Sequence, residues 1–378
     1  MSRRFILLLA VPPPCYGLPR YNPVGAGQVA VSTCDGRPCL KRDGRAWRPK
    51  GLVVEGIDTA PKSWHLLTQN FRAINQRFSV ETLVAVKRFG ADAVRLNVAP
   101  VNLDPQSSIY APAYLPRIVK YVRCARSLGL VVFLQLNDQE PPNTGRVGVP
   151  SAQTVRVWQQ IAPLFIQDQG VMFGAYNEPS ISGDNEVDLT SWRALYQMVV
   201  DAIRETGARN VIGIDAPYFA ADLRVEALAH LIEDDNVFYA VHPFPVGAMS
   251  FDNAPGGWPR LFMDFCAPTN GVLCQFTAWN LYYIQANIQA CPYASDIEHQ
   301  LAMPQISQHL FDVAKTLNAG IFGWAFDYFA GDKGIIMDAS APLTKTVGFG
   351  EWSGCHTTPL PWGGGELLHT NFADPGWQ

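Results

Sequence analysis

The sequence predicts an α/β fold, a (β/α)8 TIM barrel with a short N-terminal β-hairpin cap. Three observations predict it. Eight apolar runs of strand length recur along the 378 residues at a mean spacing of about 39, within reach of one strand, one helix and their loops. Each run is almost continuously hydrophobic, as parallel strands covered on both faces are. Between the runs lie amphipathic helical stretches that close on glycine. An open doubly wound sheet is the alternative that the same pattern admits.

Taken in order, residues 1–27 open with two arginines and the short apolar run "FILLLAV", broken by Pro12-Pro13-Pro14. A charged start before such a run reads as a leader for secretion. Residues 28–345 form the expected barrel domain. Its first stretch, "QVAVSTCDGRPCLKRDGRAWRPK", places two Asp-Gly turn signals between short alternating runs, which reads as hairpins plugging one end. The eight strands follow at 51–58, 91–98, 130–137, 171–178, 210–217, 237–244, 271–279 and 321–328. In "YLPRIVKYVRCARSLG", Leu115, Ile118, Val119, Val122 and Cys124 share a helical face, and Gly129 ends it. "LTSWRALYQMVVDAIRETG" and "QISQHLFDVAKTLNAG" repeat the plan. The link between the sixth and seventh strands is poor in helix and is expected to build part of a cleft. Residues 346–378, rich in Gly and Pro, are expected to wrap irregularly.

Composition narrows the function. Hydrophobic residues make up 48% and charged residues 16%, below the roughly 25% of an average globular chain, so a large core is favoured. A net charge of -4 offers no footprint for nucleic acid. There is no P-loop, no GxGxxG leading into a helix and no zinc-type cysteine spacing, so no metal or cofactor is expected. Beyond the leader, no stretch is apolar for long enough to span a bilayer. Of eight cysteines, Cys34 and Cys39 are close enough for a small disulfide loop, whereas Cys124 and Cys274 read as buried free thiols. A monomer is expected.

Active sites of such barrels sit at the C-terminal ends of the strands. That rule selects Asp58, Arg95, Asn97, Asn137, Asp138, Asn177, Glu178, Asp215, His242, Gln275, Trp279, Trp324 and Asp327. "GVMFGAYNEPS" is the most telling stretch, because a buried strand ends there on Asn177-Glu178-Pro179. With "FGADAVRLNV", "AVHPF" and "GIFGWAFDY", it resembles glycoside hydrolase family 5, over about residues 36–345. The resemblance implies a cleft for a β-glucan or mannan type carbohydrate. It implies Glu178 as acid/base, Asn177 on the sugar hydroxyl beside the reacting carbon, and Arg95, His242 and Trp324 as further cleft residues.

A retaining glycosidase sets two carboxyl groups about 5 to 5.5 Å apart, one to protonate the leaving oxygen and one to attack the anomeric carbon. In the family the attacking group is a Glu at the end of the seventh strand. In "GVLCQFTAW" the matching residue is read as Gln275, a neutral amide and a poor nucleophile. Two further departures accompany it. Asn137 stands where the family often has His, and Phe244 where a Tyr usually bonds the nucleophile. Trp279 is a second candidate sugar platform. A substitute carboxylate would come from Asp58, Asp138, Asp215, Asp327 or Glu140. Three readings follow: a hydrolase using Glu178, a glycan-binding pseudoenzyme on the same barrel, and a barrel of other chemistry. The last lacks a strand-end Lys for a Schiff base and a His-x-His metal pair.

Overall fold

A computed structural model describes residues 15, 26–54, 80–137, 148–244, 257–280, 308–324, 326 and 364–377. Three antiparallel strands come first: β1 (Val29–Cys34), β2 (Arg37–Arg42) and β3 (Arg45–Trp47). Both turns between them are Asp-Gly pairs with positive φ, 49° and 77° at Asp35 and Gly36, 52° and 78° at Asp43 and Gly44. Left-handed conformation at both turn residues matches the twist of a tight hairpin, and Asp-Gly tolerates it.

Eight parallel strands then close a barrel: β4 (Lys50–Val54), β5 (Ala93–Val98), β6 (Val131–Leu136), β7 (Val171–Gly174), β8 (Ile212–Asp215), β9 (Val237–Val241), β10 (Cys274–Trp279) and β11 (Ile321–Gly323). The expected barrel and its hairpin cap are both present. Alternation explains why each strand reads as uniformly apolar. On β6, Val131 and Phe133 point inward with Val53, Met172, Phe238 and Phe322, while Val132 and Leu134 meet the helices. Val29, Leu40 and Trp47 of the hairpin sheet join the inward cluster, so the sheet plugs the N-terminal end of the barrel. Gly51 leaves room for the Phe322 ring, since a Cβ there would stand 2.1 Å from Phe322 Cδ1.

The surrounding helices include α1 (Val80–Arg88), α2 (Tyr114–Ser127), α3 (Ala152–Ile161), α4 (Glu186–Glu205), α5 (308–317) and α6 (Gly364–Ala373). On α2, Ile118, Val119, Val122 and Cys124 are buried as the periodicity predicts, and the chain leaves through Gly129 at φ 75°. The Asn185 side chain caps α4 by accepting the Asp188 N–H at 3.0 Å.

Three expectations are corrected. Cys124 and Cys274 are not free thiols. Cys124 is bonded to Cys15 and Cys274 to Cys266, while Cys34–Cys39 forms as expected. Burial suits either state, and the partner lies 109 residues away in one case, beyond any local pattern. The tail is not wholly irregular, because α6 buries Leu368 and Phe372, four residues apart, and Trp377 follows into the core. Lys50 Nζ and Arg48 Nη1 fasten this tail by bonding the carbonyls of Phe372 at 2.6 Å and Trp377 at 3.0 Å.

Candidate active site

The C-terminal rim of the barrel gathers one polar network. Inward positions on β5 supply Arg95 and Asn97, the loop after β6 supplies Asn137, and the loop after β7 supplies Asn177 and Glu178. Asp215 ends β8, His242 follows β9, and Thr277 lies on β10. Arg95, only 1% exposed, lies beneath the cleft and is the hub. Its Nε donates to Asn97 Oδ1 at 3.1 Å, and its Nη1 to the Thr277 carbonyl at 2.8 Å and to His242 Nε2 at 2.9 Å. Its Nη2 donates to Asn177 Oδ1, and Asn177 Nδ2 passes the chain on to Asn137 Oδ1 at 3.2 Å.

This network decides the tautomer of His242. A guanidinium only donates, so Nε2 accepts from Arg95 and the ring proton sits on Nδ1. Nδ1 lies 2.7 Å from Glu178 Oε1 and donates to it. The His242 side chain is buried and that of Glu178 is 19% exposed, so the carboxyl is held from behind and opens toward solvent.

Glu178 has a left-handed backbone, φ 49°, which is uncommon for a residue other than glycine. Its N–H donates to Asp215 Oδ2 at 3.0 Å. Asp215 is fully buried, and its Oδ1 has no hydrogen-bond partner among the described residues. Burial pushes its carboxyl above the usual range, against the opposing pull of His242, Arg95 and the Glu178 N–H.

The next loop is also left-handed. Tyr218, Phe219 and Ala220 follow one another at φ 51°, 59° and 60°. Such a conformation costs on the order of 1–2 kcal/mol per residue. It is held by N–H bonds from Tyr218 to the Ile181 carbonyl at 2.7 Å and from Phe219 to the Pro179 carbonyl at 2.9 Å. The Ala220 carbonyl in turn accepts the His242 N–H at 2.7 Å.

Two predicted site residues stand elsewhere. Gln275 pairs in register with Ala240, two positions before His242 on the neighbouring strand. Its Oε1 accepts the Gly320 N–H at 2.7 Å, at the start of β11. At about 3.3 Å per residue it lies some 6–7 Å below Thr277, inside the barrel and out of the cleft. Trp279 faces outward, fully buried against the Phe311 ring at 5.1 Å, and is a core residue. The register shifts between Phe276 and Trp279. Within that shift Ala278 joins Phe244 and Trp324 in a separate small cluster at the rim, where those two rings meet edge to face at 5.9 Å.

The structure therefore brings together Arg95, Asn97, Asn137, Asn177, Glu178, Asp215 and His242, with Phe244 and Trp324 beside them. It excludes Gln275 and Trp279. Asp58, Asp138, Glu140 and Asp327 lie outside the described residues. Sequence reasoning overlooked Thr277, Ala278, Tyr218 and Phe219. The signal for Ala278 was its place in "TAW", nearer the end of the seventh strand than Gln275.

A family model for cellulase (glycosyl hydrolase family 5) matches residues 60–291, more than half of the chain. Endoglucanase EG-II of Hypocrea jecorina is 30% identical over an alignment of 157 residues that covers 38% of this chain and 35% of that protein. The chain thus matches about a third of the length of that curated relative. Among solved structures, a thermostable, halotolerant GH5 cellulase from an Icelandic hot spring isolate superposes with a TM-score of 0.62 at 16% identity, covering 94% of this chain and 96% of that one. The catalytic domain of Thermobifida fusca endoglucanase Cel5A, in complex with cellotetraose, gives 0.61 at 17% identity, covering 92% and 98%. At these identities the structural likeness is one of fold.

Proposed function

The chain belongs to glycosyl hydrolase family 5, and on that premise we propose that its cleft binds β-linked glucan chains, with Glu178 as the proton-transferring carboxyl and no retaining nucleophile on the seventh strand. The observation that carries the reading is Ala278. A retaining mechanism needs a carboxylate facing the acid. The seventh-strand residue clustered with Phe244 and Trp324 has only a methyl group. Phe244 cannot donate the hydroxyl that a Tyr at its position would offer, so the change at Ala278 has a matching change beside it.

The acid half remains equipped. His242 Nδ1–H orients Glu178 Oε1, and Arg95 fixes the tautomer that makes this possible. Asp215 holds the backbone of Glu178 but cannot replace the nucleophile: it is fully buried, and Oδ2 is engaged by the Glu178 N–H. Asn177 and Asn137 provide amide groups for sugar hydroxyls, and half-buried Trp324 provides a ring face. The intact acid half favours the second reading, a hydrolase whose other carboxylate comes from Asp58, Asp138, Glu140 or Asp327. Secretion fits three disulfides among the described residues, where no helix is long and apolar enough to cross a membrane.

Calorimetric titration with cellotetraose, and turnover of aryl cellobiosides, test the proposal. Wild type should bind without appreciable turnover. Ala278→Glu should raise hydrolysis on the order of 10³-fold or more, and Gln275→Glu should not. Wild-type turnover lost in Glu178→Gln would instead establish the hydrolase reading. Absence of binding would remove the glycan assignment.

A further inference from the structure

Inside the barrel, three alternate strands carry buried polar atoms that have no hydrogen-bond partner among the described residues. They are Gln135 Oε1 and Nε2 on β6, Asp215 Oδ1 on β8 and Gln275 Nε2 on β10. All three residues are at most 1% exposed. A buried amide or carboxyl left in this way is costly, and native interiors rarely tolerate it.

Register sets these groups around one another. Gln135 pairs with Gly174 of β7, and Gly174 with Gly213, one inward step below Asp215. Gly174 lets the Gln135 amide lean across β7 toward β8, since a Cβ there would stand 1.8 Å from Gln135 Oε1. On the other side Asp215 pairs with Ala240, and Ala240 with Gln275. Only a methyl group therefore lies in register between the carboxyl and the second amide. Neighbouring strands run about 4.8 Å apart, so the backbones of β6, β8 and β10 follow one another at roughly 9–10 Å. The side chains narrow that gap, and a water closes it.

The donors and acceptors say what fits there. The two amide nitrogens donate, while Gln135 Oε1 and Asp215 Oδ1 accept. A cation would meet the amide hydrogens, and an anion would meet the carboxyl. Water, with two O–H groups and two lone pairs, complements both kinds and needs two to four such partners.

We propose that Gln135, Asp215 and Gln275 enclose a buried water site inside the barrel, and that Gln135 acts through this water as a positioning residue for Asp215. Asp215 in turn accepts the N–H of Glu178 at 3.0 Å, so the site steadies the left-handed backbone of Glu178 from beneath. Gln275 gains a role below the cleft: its Oε1 accepts the Gly320 N–H, and its Nε2 donates to the water. The proposal rests on the barrel interior and stands whether or not the cleft takes glucan.

A crystal structure of the wild type, at a resolution that shows ordered water, tests the site directly. Density for a water within hydrogen-bond distance of Asp215 Oδ1 and the Gln135 amide is expected. Direct contact between those two groups, with no water between them, would overturn the proposal. Thermal melts against pH test the positioning role. Gln135→Met keeps the length of the side chain and removes both polar atoms. Arg95, Glu178, His242 and, from α4, Tyr196 also face Asp215, so the effect is read against Asp215→Asn, which leaves those groups in place. Without its water the ionised carboxyl loses a donor. The melting-temperature deficit of Gln135→Met should therefore widen by about 2 °C or more as pH rises above the usual carboxylate range. In the Asp215→Asn background the deficit should stay flat. A deficit equally flat in both backgrounds would mean that Gln135 only fills space, and the positioning role would be wrong. If Gln135→Met does not fold, the wild-type crystal structure still decides.

Discussion

At the scale of single residues, Asp215 shows how a buried charge can serve geometry. It accepts the N–H of Glu178 in a backbone conformation that would otherwise relax. Its carboxyl is pushed up by burial, so folding favours the protonated form. That contribution is fully present below the usual carboxylate range and is lost as pH rises through the raised folded value. Asp215→Asn keeps an oxygen for the Glu178 N–H and cannot ionise. Thermal melts should therefore show the variant gaining on wild type as pH rises above the usual carboxylate range; an offset that is flat with pH would count against a raised Asp215. Asp215→Ala, which leaves the Glu178 N–H without its partner, should lose about 1–3 kcal/mol in urea unfolding.

At the scale of elements, strand β10 and the loop behind α2 behave in opposite ways. The period of two along β10 sets Gln275 and Thr277 inward, with Gln275 one inward step below Thr277, whereas the family resemblance pointed to Gln275 as the site residue. The register shift after Phe276 brings Ala278 to the rim instead, and in the sequence only its place nearer the strand end points to it. Behind α2, Arg126 and Asp168 form a buried ion pair that ties three segments. Arg126 Nη1 and Nη2 also donate to the carbonyls of Leu130 at 2.8 Å and Ala26 at 2.7 Å. Asp168 Oδ1 accepts the Gly170 N–H at 3.1 Å. Removing one partner leaves the other charge buried, so Asp168→Ala should destabilise the fold by roughly 3–5 kcal/mol. A loss under about 1 kcal/mol in urea unfolding would mean that Arg126 finds water when its partner is gone.

At the scale of the whole molecule, closure of the barrel is reinforced from outside. Cys15–Cys124 joins residues 109 apart, and α6 with Trp377 is strapped under the N-terminal end by Arg48 and Lys50. Cross-linking distant residues restricts the unfolded chain, so Cys15→Ser should lower stability by roughly 2–5 kcal/mol, read by thermal melts without reductant. An unchanged melting temperature would show that the bridge constrains little beyond what packing already holds.

The sequence by itself determined the barrel, its eight strands, the hairpin cap and the strand-end gathering of Arg95, Asn177, Glu178 and His242. Those features follow from hydrophobic period, turn chemistry and strand ends, which are local and repeat eight times. Tertiary structure decided what depended on single contacts between distant segments. It paired Cys15 with Cys124, folded the tail into a helix, turned Trp279 into the core and set Gln275 below the cleft in favour of Ala278. It also brought Tyr218 and Phe219 beside Glu178, through hydrogen bonds to a loop some forty residues away along the chain that no periodicity encodes.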